Sequence, residues 1–285
     1  MTKLFEKIKS HSKKVALIGS LFLAIFAGLF CLVNLDLNPL KNSATNIASI
    51  SPIVDMNAEI KNRLGSITFS VETYNEWAKR NGLNNTNNGL DNDSDKDGLP
   101  NYLEYVHGTD PLKADTDGDG YTDKQEIMKG YDPDAPGDAK PAVEITVSKI
   151  NVAVPMVWSQ SEAEEDMLKD LEGGVSHYPK SAAPGQNGNM IISGHSSNYV
   201  WAKGGYNYIF RNLNNLENGD VIIMKTTQAN GRVIIYKYKV TDKFIATPDD
   251  EEIFSQETNP VLTLSTCWPI GTNFERLILK AEIVR

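Results

Sequence analysis

Cysteine is scarce in this chain: of 285 residues only two are cysteines, Cys31 and Cys267. Cys31 lies in an apolar N-terminal segment, so a disulfide framework is excluded and Cys267 has no intramolecular partner. Histidine is nearly as rare, with His11, His107, His177 and His195 making up the whole complement. Positive charge is also in deficit. The formal net charge is −9, and residues 91–134 carry it, with 13 Asp/Glu against 4 Lys. Phosphate binding needs clustered Lys/Arg, so nucleic acid is a poor partner. A hard cation suits such a stretch better.

Charge is absent altogether from residues 15–33, an apolar run that follows Lys3, Lys7, Lys9, Lys13 and Lys14. Its 19 residues would span about 28 Å as a helix, close to the thickness of a bilayer's hydrocarbon core. No basic residue follows until Lys41, so the charge bias predicts a cytoplasmic tail (1–14), a single transmembrane anchor (15–33) and everything else outside the cell membrane. A cleaved signal peptide would show a shorter apolar core and a small-x-small site, where Asn34-Leu35-Asp36-Leu37 stands instead. A lipoprotein site at Cys31 would want a small residue where Phe30 stands. Residues 34–90 read as a tether with a short helical stalk, helical over 71–80 and stopped at Gly82.

Residues 91–134 hold an internal repeat with a period of 22. One copy is Asp93-x-Asp95-x-Asp97-Gly98-x-x-Asn101-x-x-Glu104, the other Asp115-x-Asp117-x-Asp119-Gly120-x-x-Asp123-x-x-Glu126. Calcium takes six to eight oxygens, and a loop of about 12 residues delivers them from carboxylates at positions 1, 3, 5 and 12. Position 7 adds a backbone carbonyl, here of Leu99 and Tyr121, and position 9 (Asn101, Asp123) often acts through water. Glycine at position 6 allows the sharp turn. Each copy ends in Gly-x-Asp-Pro, as in Gly108-Thr109-Asp110-Pro111 and Gly130-Tyr131-Asp132-Pro133. The pattern resembles thrombospondin type 3 calcium repeats. A dockerin fits the distal glutamates and these links less well. Asp91 could join an overlapping ligand set, and His107 reads as a surface residue. The repeats would then form a rigid, calcium-dependent stalk.

After a linker at 135–141, residues 142–285 have the size of one domain. Strand-like alternation runs through 143–147, 236–240 and 262–267, which ends at Cys267; apolar runs at 152–155 and 189–194 and the closing segment 277–284 also read as strands. Two helices are expected. One follows a capping box at Ser161 and Glu164 and buries Met167, Leu168 and Leu171; the other aligns Phe210, Leu213 and Leu216. Many strands with few helices read as a closed β-barrel. Cys267 and His195 both sit at strand exits, which can converge on one mouth of a barrel, and Cys267 and Arg276 flank the loop 268–275, so a hairpin would bring their strands side by side. A cysteine nucleophile needs an imidazole and its adduct needs an oxyanion donor, which Arg276 can supply. His177 competes as a loop residue, and a buried inert thiol is the plain alternative.

The pieces Ser148-Lys149-Ile150, HYPKSAAPGQNGNMIISGH (177–195), Phe210-x-x-Leu213-x-x-Leu216-x-x-Gly219-Asp220, TLSTC (263–267) and Arg276 resemble a sortase catalytic domain over all of 142–285. The resemblance implies a mainly β, sortase-like closed barrel with short helices, behind an N-terminal transmembrane helix and a small calcium-binding module. It implies His195, Cys267 and Arg276 as the catalytic set, with Thr266 in the pocket. The implied chemistry is transpeptidation: a thioacyl-enzyme formed on an LPXTG-like sorting signal of a surface protein, then resolved by an amine of a cell-wall precursor or a pilin. No cofactor is implied for the chemistry, only structural Ca2+ in the repeats. The chain's end at Arg285 favours protein anchoring over pilus assembly. Asp249-Asp250-Glu251-Glu252 reads as a solvated loop or helix start rather than a calcium site. An L,D-transpeptidase would want an SHGC-type run where Ser265-Thr266-Cys267-Trp268 stands. The non-enzymatic alternative is a calcium-dependent spacer or adhesin with an inactive sortase-like domain.

Overall fold

Alternation of apolar and polar residues bends the C-terminal half into a barrel. In the computed structural model, residues 68–69, 72–84, 87–199 and 201–284 are described. The tail, the apolar run and most of the tether lie outside them. Among the described residues no helix is long and apolar enough to cross a membrane. The strands are β1 (Thr68–Phe69), β2 (Ala142–Val147), β3 (Val152–Trp158), β4 (Val175–His177), β5 (Gly188–Ser193), β6 (Val221–Thr227), β7 (Val233–Ala246), β8 (Pro260–Trp268) and β9 (Glu275–Ile283). Their order is β1-β7-β6-β2-β3-β4-β5-β8-β9, and a further β7–β9 pairing closes β2 to β9 into a barrel. The long β7 makes closure possible: one stretch pairs with β6 and the rest with β9. Ile145, Val147, Val154, Met190, Ile192, Met224, Leu262, Leu264 and Leu279 fill the interior, each worth about 1.5–3 kcal/mol of burial.

The helices are α1 (Tyr74–Arg80), α2 (Asn101–His107), α3 (Asp123–Lys129) and α4 (Glu164–Asp170). The capping box expected at Ser161 does not form. Ser161 Oγ accepts from Ala163 N–H instead, and no residue within α4 is buried, with Leu168 49% exposed; Leu171, at its C-cap, is buried as expected. Capping boxes form at Thr73 and Thr122, where the N3 residues are Glu76 and Gln125. Phe210, Leu213 and Leu216 are fully buried as expected, but on a single 3₁₀ turn (Leu213–Asn215) rather than a helix. A second 3₁₀ turn, Glu251–Phe254, starts at Asp250, whose side chain accepts from Glu252 N–H.

The stalk reading is corrected. Tyr74 and Trp77 of α1 are completely buried and pack with Tyr105 of α2 in the same core cluster as the barrel residues. The repeats are docked as well. Arg232, in the β6–β7 turn, donates to the Tyr105 carbonyl, Ala229 N–H donates to the Asp132 carboxylate at 2.7 Å, and Gln186 donates to the Ile127 carbonyl. The C-cap Gly130, at φ +69°, comes so close that a Cβ there would meet Ala183 Cβ at 2.6 Å. The stretch 135–141 is tied down through Gly137 N–H to Asp119, Ala139 O to Asp132 N–H and Pro141 O to Trp158 Nε1. His107, expected at the surface, lies at this seam beside Gln228, and burial followed by the charge of Arg232 pushes its imidazole down to about 4.

Candidate active site and metal loops

Strand register assembles the site. In β8 and β9, Cys267 and Arg276 are directly opposed partners, so their side chains project to the same face. The parallel β5–β8 pairing ends at Ser193 and Ser265. Two bonds carry the match onward: Gly194 N–H donates to Ser265 O at 3.1 Å, and Thr266 Oγ1 donates to Gly194 O at 2.7 Å. That continuation sets His195 beside Cys267. The three side chains thus form one row across neighbouring chains of the sheet, which lie about 4.8 Å apart.

The row lies on the outer face of the barrel. Leu262 and Leu264 point into the core, as do Leu277 and Leu279, so Cys267 and Arg276, an odd number of residues away, point outward. A mouth of the barrel was the expected place; the strand period of two puts the row on the outer wall instead. A second, small cluster joins Ala246, Ile253, Ile278 and Phe244, with Ala246 the β7 register partner of Arg276. Thr266 is not a pocket residue: it is 3% exposed and braces the β5–β8 junction.

Cys267 is a free, half-buried thiol. Burial holds the His195 imidazole below its ordinary range. The Arg276 guanidinium donates to the carbonyls of Asn273 and Glu275 at 3.1 Å each, and among the described residues it has no carboxylate partner within ion-pair distance. The rim is apolar and aromatic. Tyr199 and Trp201 stack at 5.0 Å, and Phe274 is 75% exposed. Gly271 N–H donates to Ser197 Oγ at 3.0 Å, joining the two rim loops. His177 belongs elsewhere: it ends β4, is 5% exposed, bonds the Ala182 carbonyl at 2.9 Å, and burial pushes it down to about 4. A cleft of about 810 Å³ between α3, the loop 178–189 and Phe254 holds none of the three residues of the row.

The repeat loops show one wiring diagram twice. Asp93 accepts from Lys96 and Gly98 N–H, and Asp115 from Gly118 and Gly120 N–H. Gly98 and Gly120 have φ of +95° and +102°, which the turn requires. Asp93, Asp95 and Asp97 converge, as do Asp115, Asp117 and Asp119; Asp91 is not in either group. Glu104 and Glu126 are fully buried, yet Glu104 Oε2, both Glu126 carboxylate oxygens, Asp95 Oδ2 and Asp117 Oδ2 have no hydrogen-bond partner. Burial and then the neighbouring carboxylates push Glu104 up to about 9 and Glu126 up to about 8. Orphaned buried carboxylate oxygens around a carboxylate trio fit an oxygen-seeking divalent cation. Asn101 and Asp123 differ from expectation: their side chains bond Ser94 and Thr116, at position 2 of each loop, and so brace the loop. Leu99 is buried and Tyr121 is 42% exposed. The second oxygen of Asp97 caps Lys124 N–H at the start of α3, linking one loop to the next.

A Sortase domain model matches residues 145–284, and a Bacterial TSP3 repeat model matches 93–114 and 115–133. The chain is 32% identical over 167 residues to Sortase D of Bacillus subtilis (strain 168), covering 57% of this chain and 72% of that protein. It belongs to the sortase family. Sortases are cysteine transpeptidases, and this sortase is an enzyme of that class. Sortase A of Bacillus anthracis is 24% identical over 140 residues, 49% of this chain and 58% of that one. Among solved structures, a Clostridium perfringens Sortase D5 transpeptidase matches at 25% identity and TM-score 0.42, covering 58% of this sortase and 91% of its own chain. Sortase C-1 from Actinomyces oris matches at 26% identity and TM-score 0.41, covering 50% and 73%.

Proposed function

We propose that this sortase uses Cys267 as nucleophile, His195 as proton carrier and Arg276 as oxyanion donor on an LPXTG-like sorting signal. The observation that carries the reading is the single row formed by the β5–β8 and β8–β9 registers. The Cys267 thiol gives its proton to His195 as the sulfur attacks a backbone carbonyl, and the guanidinium offers N–H groups to the oxygen that gains charge. The C–N bond breaks as His195 passes that proton to the leaving amine, which leaves a thioester. An amine from a cell-wall precursor or a pilin gives up its proton to His195 and attacks, and the C–S bond breaks as His195 returns the proton to the sulfur. The apolar run at 15–33 supports a single-pass anchor with the enzyme outside the membrane. The repeats would hold Ca2+ through Asp93, Asp95, Asp97 and Glu104, and through Asp115, Asp117, Asp119 and Glu126.

The test is incubation of the protein with a sorting-signal peptide and an amine acceptor. Wild type should form a peptide–enzyme thioester visible by mass and an amide product. Cys267→Ala should form neither, and Arg276→Lys should lower kcat/KM by about 10²–10³, the usual cost of one oxyanion donor. Turnover of stem peptides alone would point to a cell-wall L,D-transpeptidase activity, and no turnover of any peptide to an inactive spacer.

A further inference from the structure

Beyond the row of three, the structure assigns a partner to the proton carrier. Asn198 Nδ2 lies 3.3 Å from His195 Nε2 and donates to Asn207 Oδ1 at 2.9 Å. Which end of the Asn198 amide faces the ring is settled by its other contact. Tyr199 N–H, which can only donate, points at Asn198 Oδ1 at 2.8 Å, so the NH2 end faces Nε2. Asn207 is oriented in the same sense, since its Nδ2 donates to the carbonyls of Gly204 at 3.1 Å and Ala202 at 3.4 Å. The Asn198 NH2 therefore donates on both sides, to Asn207 Oδ1 and toward the imidazole, while Asn207 is anchored by two backbone carbonyls.

We propose that Asn198 is a positioning residue that keeps Nε2 of His195 free of a proton, so that Nδ1 is the nitrogen through which this ring exchanges protons with the cleft. A lone pair on Nε2 satisfies the facing NH2, whereas an N–H there would confront another N–H. The charged ring must break this contact or turn the amide against Tyr199 and Asn207. The arrangement thus opposes the imidazolium, in the same sense as burial, which already lowers this histidine. A ring that is reluctant to stay charged is a stronger acid once charged, which suits protonation of a leaving amine. The other titratable or charged groups that the strand registers bring to this face are the Cys267 thiol on β8 and the Arg276 guanidinium on β9. Burial is the cause of the histidine's lowered value.

The proposal rests on His195 as proton carrier, and the experiment separates the two. In the full chain labelled with 15N-histidine, the His195 signals are assigned by their loss in His195→Gln. At neutral pH Nε2 should show the shift of an unprotonated nitrogen and Nδ1 that of an N–H. Asn198→Asp places a carboxylate where the NH2 stood and should raise the His195 midpoint by about one pH unit or more. Asn198→Ala should raise it by less, and it serves as the second variant if Asp impairs folding. The acidic limb of the kcat/KM profile should move with the midpoint. A protonated Nε2 in wild type, or a midpoint unmoved in both variants, overturns the proposal. Full turnover by His195→Gln would instead overturn the catalytic assignment while leaving the tautomer result standing.

Discussion

Replacing Arg232 with alanine should loosen the repeat module from the barrel. Arg232 is 8% exposed, donates to the Tyr105 carbonyl and lies 5.4 Å over the Tyr105 ring. Among the described residues it has no carboxylate within ion-pair distance, so its direct side-chain hold on the module is through Tyr105 of α2. A hydrogen bond from a charged donor is worth about 1.5–3 kcal/mol and a desolvated cation–π contact about 1 kcal/mol more. Removing the guanidinium also relieves the cost of keeping it out of water, which leaves a net loss of about 2 kcal/mol, or roughly 30-fold in the docking equilibrium. The assay is hydrogen exchange of the α2 amides in calcium-saturated protein, where protection should fall by that factor. His107 gives a second readout. With the nearby cation gone its imidazole should rise, though only part of the way, because burial is the larger cause of its shift. Unchanged α2 exchange with an unmoved His107 would refute the argument that this side chain holds the seam.

Chelating calcium should unprotect residues 93–133 in exchange experiments and lower the melting temperature, since Glu104 and Glu126 would keep orphaned carboxylate oxygens with no cation; a melting curve unaffected by chelator would refute the ligand assignment. His177 should make the barrel acid-labile. Its folded value of about 4 lies below its ordinary 6.5, so the unfolded chain takes up the proton first. Stability is then complete above about pH 6.5 and falls by up to about 3 kcal/mol as pH drops to about 4. Urea unfolding at several pH values should show a flatter slope for His177→Gln. Gly194→Ala should cut turnover at least about tenfold, because its Cβ would meet the Phe210 ring at 2.4 Å and force either Phe210 or His195 to move. Wild-type kcat/KM in this variant would show that the junction tolerates displacement.

What could be read from the sequence depended on periodicity. Alternation in 262–267 marked a strand, and the same alternation held the answer to which face Cys267 occupies. Leu262 and Leu264 are the apolar members, so the cysteine had to lie on the other side, yet the two strand exits suggested a mouth. The repeat loops were legible because glycine and carboxylate offsets recur at the period of the repeat. Their position 9 was less so: Asn101 and Asp123 have donor chemistry suited to an ion, but a hydroxyl at position 2 of each loop claims them. Asn198 had no signal at all, since an asparagine in a Ser-Ser-Asn-Tyr loop has neither period nor motif.

The seam was illegible for a more general reason. Its contacts join residues far apart in the chain, such as Tyr105 with Arg232 and Ile127 with Gln186, through backbone carbonyls that have no sequence identity. Gln186 lies in the loop that leads into β5, and β5 runs on to Gly194 and His195. A cation bound in the second repeat loop would therefore act on α3, which touches the segment that leads into the strand before His195. If the seam transmits order in this way, chelator should raise exchange in residues 178–188 as well as in the repeats, and Arg232→Ala should reproduce part of that rise with calcium still bound. Exchange that increases in the repeats alone would mean that the module is docked on the barrel without shaping it.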